Sequence, residues 1–166
     1  MFEYLESERL TYRKFKEEDE AFIVELMSDD RVCKFLPGKK GYPLDTCQKI
    51  LNYYIKSFGY QDKQRIYLVS TKEGEPIGYV GIQIVKEFDK YEIFYAFKPD
   101  SWGFGFATES SLKMVDVAKK SNLKELIALA DIENDASQKV LEKIGYIKED
   151  QINLWDLDLY FYTMKL

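Results

Sequence analysis

The sequence predicts an α/β (α+β) chain built on a mixed, mostly antiparallel twisted sheet of about seven strands, with helices on both faces. Three features carry that prediction. Strand-like segments at 65–71, 77–85 and 91–97 succeed one another with only short turns between them, the pattern of neighbouring antiparallel strands. Segments of helical period stand before and after them, at 16–27, 45–58, 106–119 and 134–145. Between the third strand and the helix that follows lie Gly103 and Gly105, where the chain leaves a sheet and enters a helix.

Each element has its own justification. In 9–15, Leu10, Tyr12 and Lys14 alternate with Thr11, Arg13 and Phe15, a strand period. Lys16-Glu17-Glu18-Asp19 opens a helix with acidic residues where the helix dipole favours them, and Phe22, Ile23, Leu26 and Met27 form its apolar face. Residues 30–43 connect to a second helix, which Asp45 is placed to cap and along which Ile50, Leu51, Tyr54, Ile55 and Phe58 recur at helical spacing. Residues 72–76 close a hairpin, and Gly78 and Gly81 inside its second strand call for a closely approaching neighbour. After the glycines, Ala107, Ser110, Ser111, Met114, Val115 and Ala118 put mostly small side chains on one helical face. A buried-type strand follows at 126–130, then a helix with Asp135 and Gln138 as its capping pair and Gly145 at its left-handed end. Two final strands are expected after Tyr146, with Leu157, Leu159, Phe161 and Thr163 alternating against Asp158, Tyr160 and Tyr162.

A chain of 166 residues with 46% hydrophobic content is long enough to bury a core as one domain, 1–166, without metal or disulfide support. No apolar run approaches a membrane span, and the acidic start Met1-Phe2-Glu3-Tyr4-Leu5-Glu6 is unlike a secretory signal, so a cytoplasmic protein without membrane contact is expected. Cys33 and Cys47 are too few and too far apart for a zinc site or a CxxC pair. With no histidine, Ser-His-Asp and Cys-His catalysis are excluded, and proton transfer falls to carboxylates, Tyr, Ser, Lys or water. A net charge of -5 argues against nucleic acid as a partner. It mildly favours a cationic acceptor, or simply aids solubility.

The glycine stretch is a natural anion site, because a helix's first N–H groups lack intrahelical partners and glycine leaves room for a phosphate. A dinucleotide fingerprint G-x-G-x-x-G fails at Thr108, and no Gly-Lys-Ser/Thr follows for a Walker loop. The stretch Trp102-Gly103-Phe104-Gly105-Phe106-Ala107-Thr108-Glu109 resembles the pyrophosphate loop of the GNAT N-acetyltransferases, Arg/Gln-x-x-Gly-x-Gly/Ala, with Trp102, Gly105 and Ala107 at its first, fourth and sixth positions. It is similar in particular to the branch that acetylates ribosomal-protein N-termini and related amines. The segment from Asn134 to Tyr146 matches a second family pattern, Asn-x-x-Ser/Ala…Leu-Glu-Lys-x-Gly-Phe/Tyr, in the right order along the chain. The alternative for the loop taken alone is a turn that binds nothing.

The resemblance implies a GNAT fold and an acetyl-CoA-dependent N-acetyltransferase, working by direct attack in a ternary complex without a metal. It places the pyrophosphate on Gly103, Phe104, Gly105, Phe106, Ala107 and Thr108, and the pantetheine arm along Tyr95, Ala96 and Phe97. Asn134 either contacts the same arm or only caps its helix. Glu92, three residues before Tyr95, is the first candidate for the base, with Asp156 second and a water relay open; the plain alternative is a solvated strand glutamate. The phenol that many members use as acid is replaced by Leu141, so Ser137 is the acid candidate, or else binds the cofactor thiol or carbonyl. The acceptor wall falls on the connection after the first helix, giving Phe35 and Tyr42, joined by Phe94, where relatives usually carry glycine; Ala96 stands where a large aromatic is frequent. The implied acceptor is a protein N-terminus or a small cationic amine, and a homodimer stays open. Two rivals remain at this stage: a non-catalytic acyl-CoA-binding or sensing module, and a dinucleotide-binding domain.

Overall fold

The computed structural model describes residues 2–166. In chain order the elements are β1 (Tyr4–Glu6), β2 (Leu10–Lys14), α1 (Glu20–Met27), α2 (Asp30–Cys33), α3 (Leu44–Lys56), β3 (Arg65–Thr71), β4 (Pro76–Val85), β5 (Lys90–Phe97), α4 (Phe106–Lys120), β6 (Glu125–Asp131), α5 (Asp135–Ile144), β7 (Ile147–Leu154) and β8 (Leu157–Lys165). They form one sheet in the order β1-β2-β3-β4-β5-β6-β8-β7. All neighbours run antiparallel except β5 and β6, which run parallel.

Strand β3 shows why helices must cover both faces. Tyr67 and Val69 join one core, with Met114 and Val117 of α4 and Leu141 of α5; Ile66 and Leu68 join the other, with Ile23 of α1 and Cys47, Leu51 and Tyr54 of α3. Alternate side chains of one strand are thus buried on opposite faces, which only a sheet sandwiched between helices allows. Gly81 answers the expected close approach: a Cβ there would lie 2.6 Å from the Arg65 carbonyl oxygen. Gly78 is crowded in the same way by the Ala96 carbonyl and the Phe97 ring.

Several local expectations are corrected. The sheet has an eighth strand, β1, whose three residues are too short and too exposed to show a period. The opening of the first helix is a 3-10 turn, Glu17–Asp19, before α1 proper. Asp45 does not cap α3; Pro43 holds the N-cap position, and the Asp45 carboxylate accepts from the N–H of Thr46. The helix ends at Lys56, so Phe58 lies beyond it and packs edge-on to Tyr67. In α5 the cap is Asn134, not Asp135: Asn134 Oδ1 accepts from the Ser137 N–H at 3.2 Å. Gln138 instead donates to the carbonyls of Asp131 and Ile132. In β8 the buried set changes face along the strand: Leu157 and Leu159 line the large cleft, while Tyr162 and Met164 join the core that contains Met114 of α4 and Leu141 of α5.

Candidate active site

The site begins where the sheet comes apart. Strand β5 is held by β4 from Gly78↔Phe97 to Val85↔Lys90, but its pairing with β6 is confined to Glu92↔Ile127. Just past that pair the Tyr146 hydroxyl stands between the strands, donating to the Ile127 carbonyl at 3.1 Å. Gly145, at φ 111°, turns the chain out of α5 and delivers Tyr146 to that place. The phenol gives the Ile127 carbonyl of β6 a partner in place of β5, so that group is not left unpaired where the strands diverge. A cleft of about 930 Å³ opens from there.

At one end of the cleft is the glycine loop. Gly103 and Gly105 have φ of 83° and 80°, a left-handed conformation that side-chain-bearing residues rarely adopt. A Cβ at Gly103 would meet nothing within 4 Å, so the approach to the loop is open. The N–H groups of Phe106, Ala107 and Thr108 precede the first intrahelical bond of α4, from Glu109 N–H to Gly105 O, and are therefore available to an anion. These features fit the pyrophosphate of coenzyme A. Trp102 anchors the loop's start, its indole N–H donating to the Phe97 carbonyl at 2.8 Å. From the far side, Arg9 donates to Phe104 O at 2.7 Å and to Glu109 Oε2 at 2.7 Å, with its guanidinium 4.7 Å from the Phe106 ring centroid. Ser7 Oγ adds a bond to Glu109 Oε1 at 2.6 Å. Burial pushes the Glu109 carboxyl up, but the donors from Ser7 and Arg9 outweigh it and hold it below the usual range.

The reacting groups line the middle of the cleft. Glu92 is buried, 7% exposed, and burial pushes its carboxyl up to about 7 against the pull of a hydrogen bond from Gln83. Tyr95 of β5 and Ser137 of α5 meet across the cleft, hydroxyl to hydroxyl, at 3.1 Å. Leu141 lies beside them, buried, and offers no hydroxyl.

Phe35, Tyr42, Phe94, Tyr95, Ala96, Phe97, Gly103, Gly105, Phe106, Ala107, Thr108, Asn134, Ser137 and Glu92 all line this one cleft. Two candidates do not. Phe104 faces solvent, stacked on Phe106 at 5.8 Å. Asp156 is exposed in the tight turn between β7 and β8, and its neighbour Trp155 reaches the cleft in its place. The acceptor end is aromatic: Phe94 packs 5.5 Å from Tyr79 and 6.1 Å from Tyr54, and Tyr42 is fixed by its hydroxyl bond to the Pro37 carbonyl. Gln83, Tyr53 and Arg9 carry no local signal of a role, because each acts on a residue distant in sequence or set on a neighbouring strand. Tyr146 closes the second family pattern, but its place between β5 and β6 is visible only in the structure. Among the described residues no cluster of His, Cys, Asp or Glu could hold a metal ion, and no helix is long and apolar enough to cross a membrane.

Residues 9–147 match the model of the acetyltransferase (GNAT) domain. The chain is 27% identical over 171 aligned residues to the uncharacterized N-acetyltransferase p20 of Bacillus licheniformis, covering 98% of this chain and 96% of that one. Its backbone superposes with a TM-score of 0.83 on a GNAT-family acetyltransferase from Bacillus anthracis, at 25% identity and 98% coverage of both chains. The ribosomal L7/L12 alpha-N-protein acetyltransferase RimL, solved with coenzyme A, has the same fold: TM-score 0.82 at 16% identity, over 99% of this chain and 98% of that one. The protein belongs to the GNAT acetyltransferase family, and its activity is acetyl-CoA-dependent N-acetyl transfer.

Proposed function

We propose that the protein acetylates a primary amine by direct attack, with Glu92 as the base and the Ser137–Tyr95 pair as the acid. What supports this most is the Glu92 carboxylate, buried at the parting of β5 and β6 with a pKa of about 7. A base at that value is about half ionised at neutral pH, the condition for accepting a proton from an ammonium or an attacking amine. Acetyl-CoA, when bound, supplies an acetyl group activated as a thioester. The loop from Gly103 to Thr108 holds its pyrophosphate and the edge of Tyr95 to Phe97 its amide-bearing arm. Glu92 takes the proton that the amine nitrogen gives up as its bond to the acetyl carbon forms. Ser137 Oγ, hydrogen-bonded to the Tyr95 phenol, returns a proton to the sulfur as the carbon–sulfur bond breaks.

The acceptor is a protein N-terminus or a small amine, and the cleft favours the second. Its acceptor end is lined by Phe35, Tyr42, Tyr53 and Phe94, and its carboxylates are Glu92 and Asp131. A primary amine on an apolar body suits such a wall, with cation–π attraction before deprotonation. Relatives of this fold differ widely here: one, spermidine N-acetyltransferase of Vibrio cholerae, was solved with coenzyme A and spermine, another, AAC(6')-Ib, with coenzyme A and ribostamycin. Coenzyme A release measured across 2-phenylethylamine, spermidine, an aminoglycoside and an N-terminal Ser peptide tests the reading. The aromatic monoamine is expected to have the highest kcat/KM, and no turnover with any amine would overturn the proposal.

A further inference from the structure

The Glu92 carboxylate is the end of a chain of side chains. Gln83, opposite Glu92 in the β4–β5 register, donates Nε2–H to Glu92 Oε1 at 2.9 Å. Gln83 Oε1 accepts from the Tyr53 hydroxyl of α3 at 3.2 Å, and that hydroxyl accepts from Gln64 Nε2 at 3.0 Å. Gln64 is buried, and its Oε1 accepts from the Ile84 N–H at 3.2 Å. These links admit one direction. A main-chain N–H can only donate, so Gln64 must turn its oxygen to Ile84 and its NH2 to Tyr53. The phenol, having accepted once, gives its proton to Gln83 Oε1, which leaves the Gln83 NH2 facing the carboxylate. Gln64 stands just before β3, Tyr53 on α3 and Gln83 on β4, so the orientation of Glu92 on β5 is set from three neighbouring parts of the fold.

We infer that Gln83, held by Tyr53 and Gln64, is a positioning residue that orients the Glu92 carboxylate and stabilises it in the ionised form that accepts the amine proton. The inference rests on Glu92 being the base. Other titratable groups that act on Glu92 are Tyr53 of α3, Tyr79 of β4, Tyr146 after α5 and Glu87 in the β4–β5 turn. Burial raises all three phenols, so they stay neutral through the range in which the carboxylate titrates, and the Glu87 charge acts to raise Glu92. Gln83 is the neighbour that acts in the other direction.

The test is the pH profile of kcat in Gln83→Leu and Tyr53→Phe, with Glu92→Gln in parallel. The amine's own ionisation is common to all variants, so differences between profiles report the enzyme. Gln83→Leu is expected to move the acid limb up by about one pH unit, lowering kcat about fivefold at pH 7 with recovery at higher pH. Tyr53→Phe frees the Gln83 amide to turn and moves the limb the same way by less. Both keep KM for acetyl-CoA within about twofold, a split that general loss of structure would not give. Limbs that stay at the wild-type pH in both folded variants, while Glu92→Gln loses its limb, overturn the inference and leave the base in place. A Glu92→Gln enzyme that keeps the wild-type limb overturns the base assignment itself, and the inference with it.

Discussion

Ser137 and Tyr95 meet across the cleft although 42 residues separate them, and neither hydroxyl is set by its immediate neighbours. Ser137 is placed by the first turn of α5, which Asn134 caps; Tyr95 is placed by its register opposite Val80. Leu141 offers no hydroxyl, and the phenol that meets Ser137 comes from the facing strand. If the two act as one proton donor, Ser137→Ala and Tyr95→Phe each lower kcat about tenfold with little change in the acceptor KM, and the double variant loses hardly more than either single one. Steady-state kinetics on the three variants check this; losses that simply multiply would show independent roles. Family spacing singles out Ser137 and Glu92, and both line the cleft. It does not single out Gln83, Tyr53 and Gln64, since a hydrogen bond between a strand and a helix 30 residues away leaves no trace in either segment.

The loop before α4 was the most readable element, because left-handed φ at two closely spaced positions demands glycine and glycines are visible in a sequence. What holds it was hidden: Arg9 and Glu109 are 100 residues apart. The cap of α5 falls one position before the expected Asp135, since Asn134 and Asp135 are both short polar residues able to fill the role. The N-cap of α3 is Pro43, whose ring offers no capping oxygen, two positions before the expected Asp45. Gly105→Glu puts a left-handed strain of about 1 kcal/mol into the loop proposed to hold the pyrophosphate. Its Cβ would lie 3.5 Å from an Arg9 guanidinium nitrogen, so the new carboxylate competes with Phe104 O and Glu109 for Arg9 and distorts the loop. The melting temperature is expected to fall by only a few degrees, while KM for acetyl-CoA rises more than tenfold. Thermal unfolding together with acetyl-CoA saturation curves checks both halves.

Across the whole molecule, the antiparallel run β3-β4-β5 follows from consecutive strands and short turns, but the placing of β8 between β6 and β7 and the parting of β5 from β6 do not, the parting because it depends on Tyr146 arriving from the end of another helix. That parting buries a carboxylate, and the consequence for stability has a definite sign. Glu92 titrates near 4.5 when unfolded and about 7 when folded, so between those values the folded chain binds more protons and its stability falls as pH rises. Asp19 works oppositely: burial raises it, but the Arg13 hydrogen bonds hold it below its usual range, so its contribution is lost as pH falls. The difference between wild type and Glu92→Gln isolates Glu92. Relative to wild type, the variant gains up to about 3 kcal/mol between pH 4.5 and pH 8, read by denaturant unfolding at both values.

The same substitution is the most direct probe of the chemistry. With acetyl-CoA saturating and an aromatic monoamine as acceptor, kcat of the wild type should rise through an acid limb near pH 7, and Glu92→Gln should lose that limb and run about a hundredfold slower at neutral pH. A Glu92→Gln enzyme that keeps the wild-type profile at a rate within threefold of wild type would contradict the assignment of Glu92 as the base.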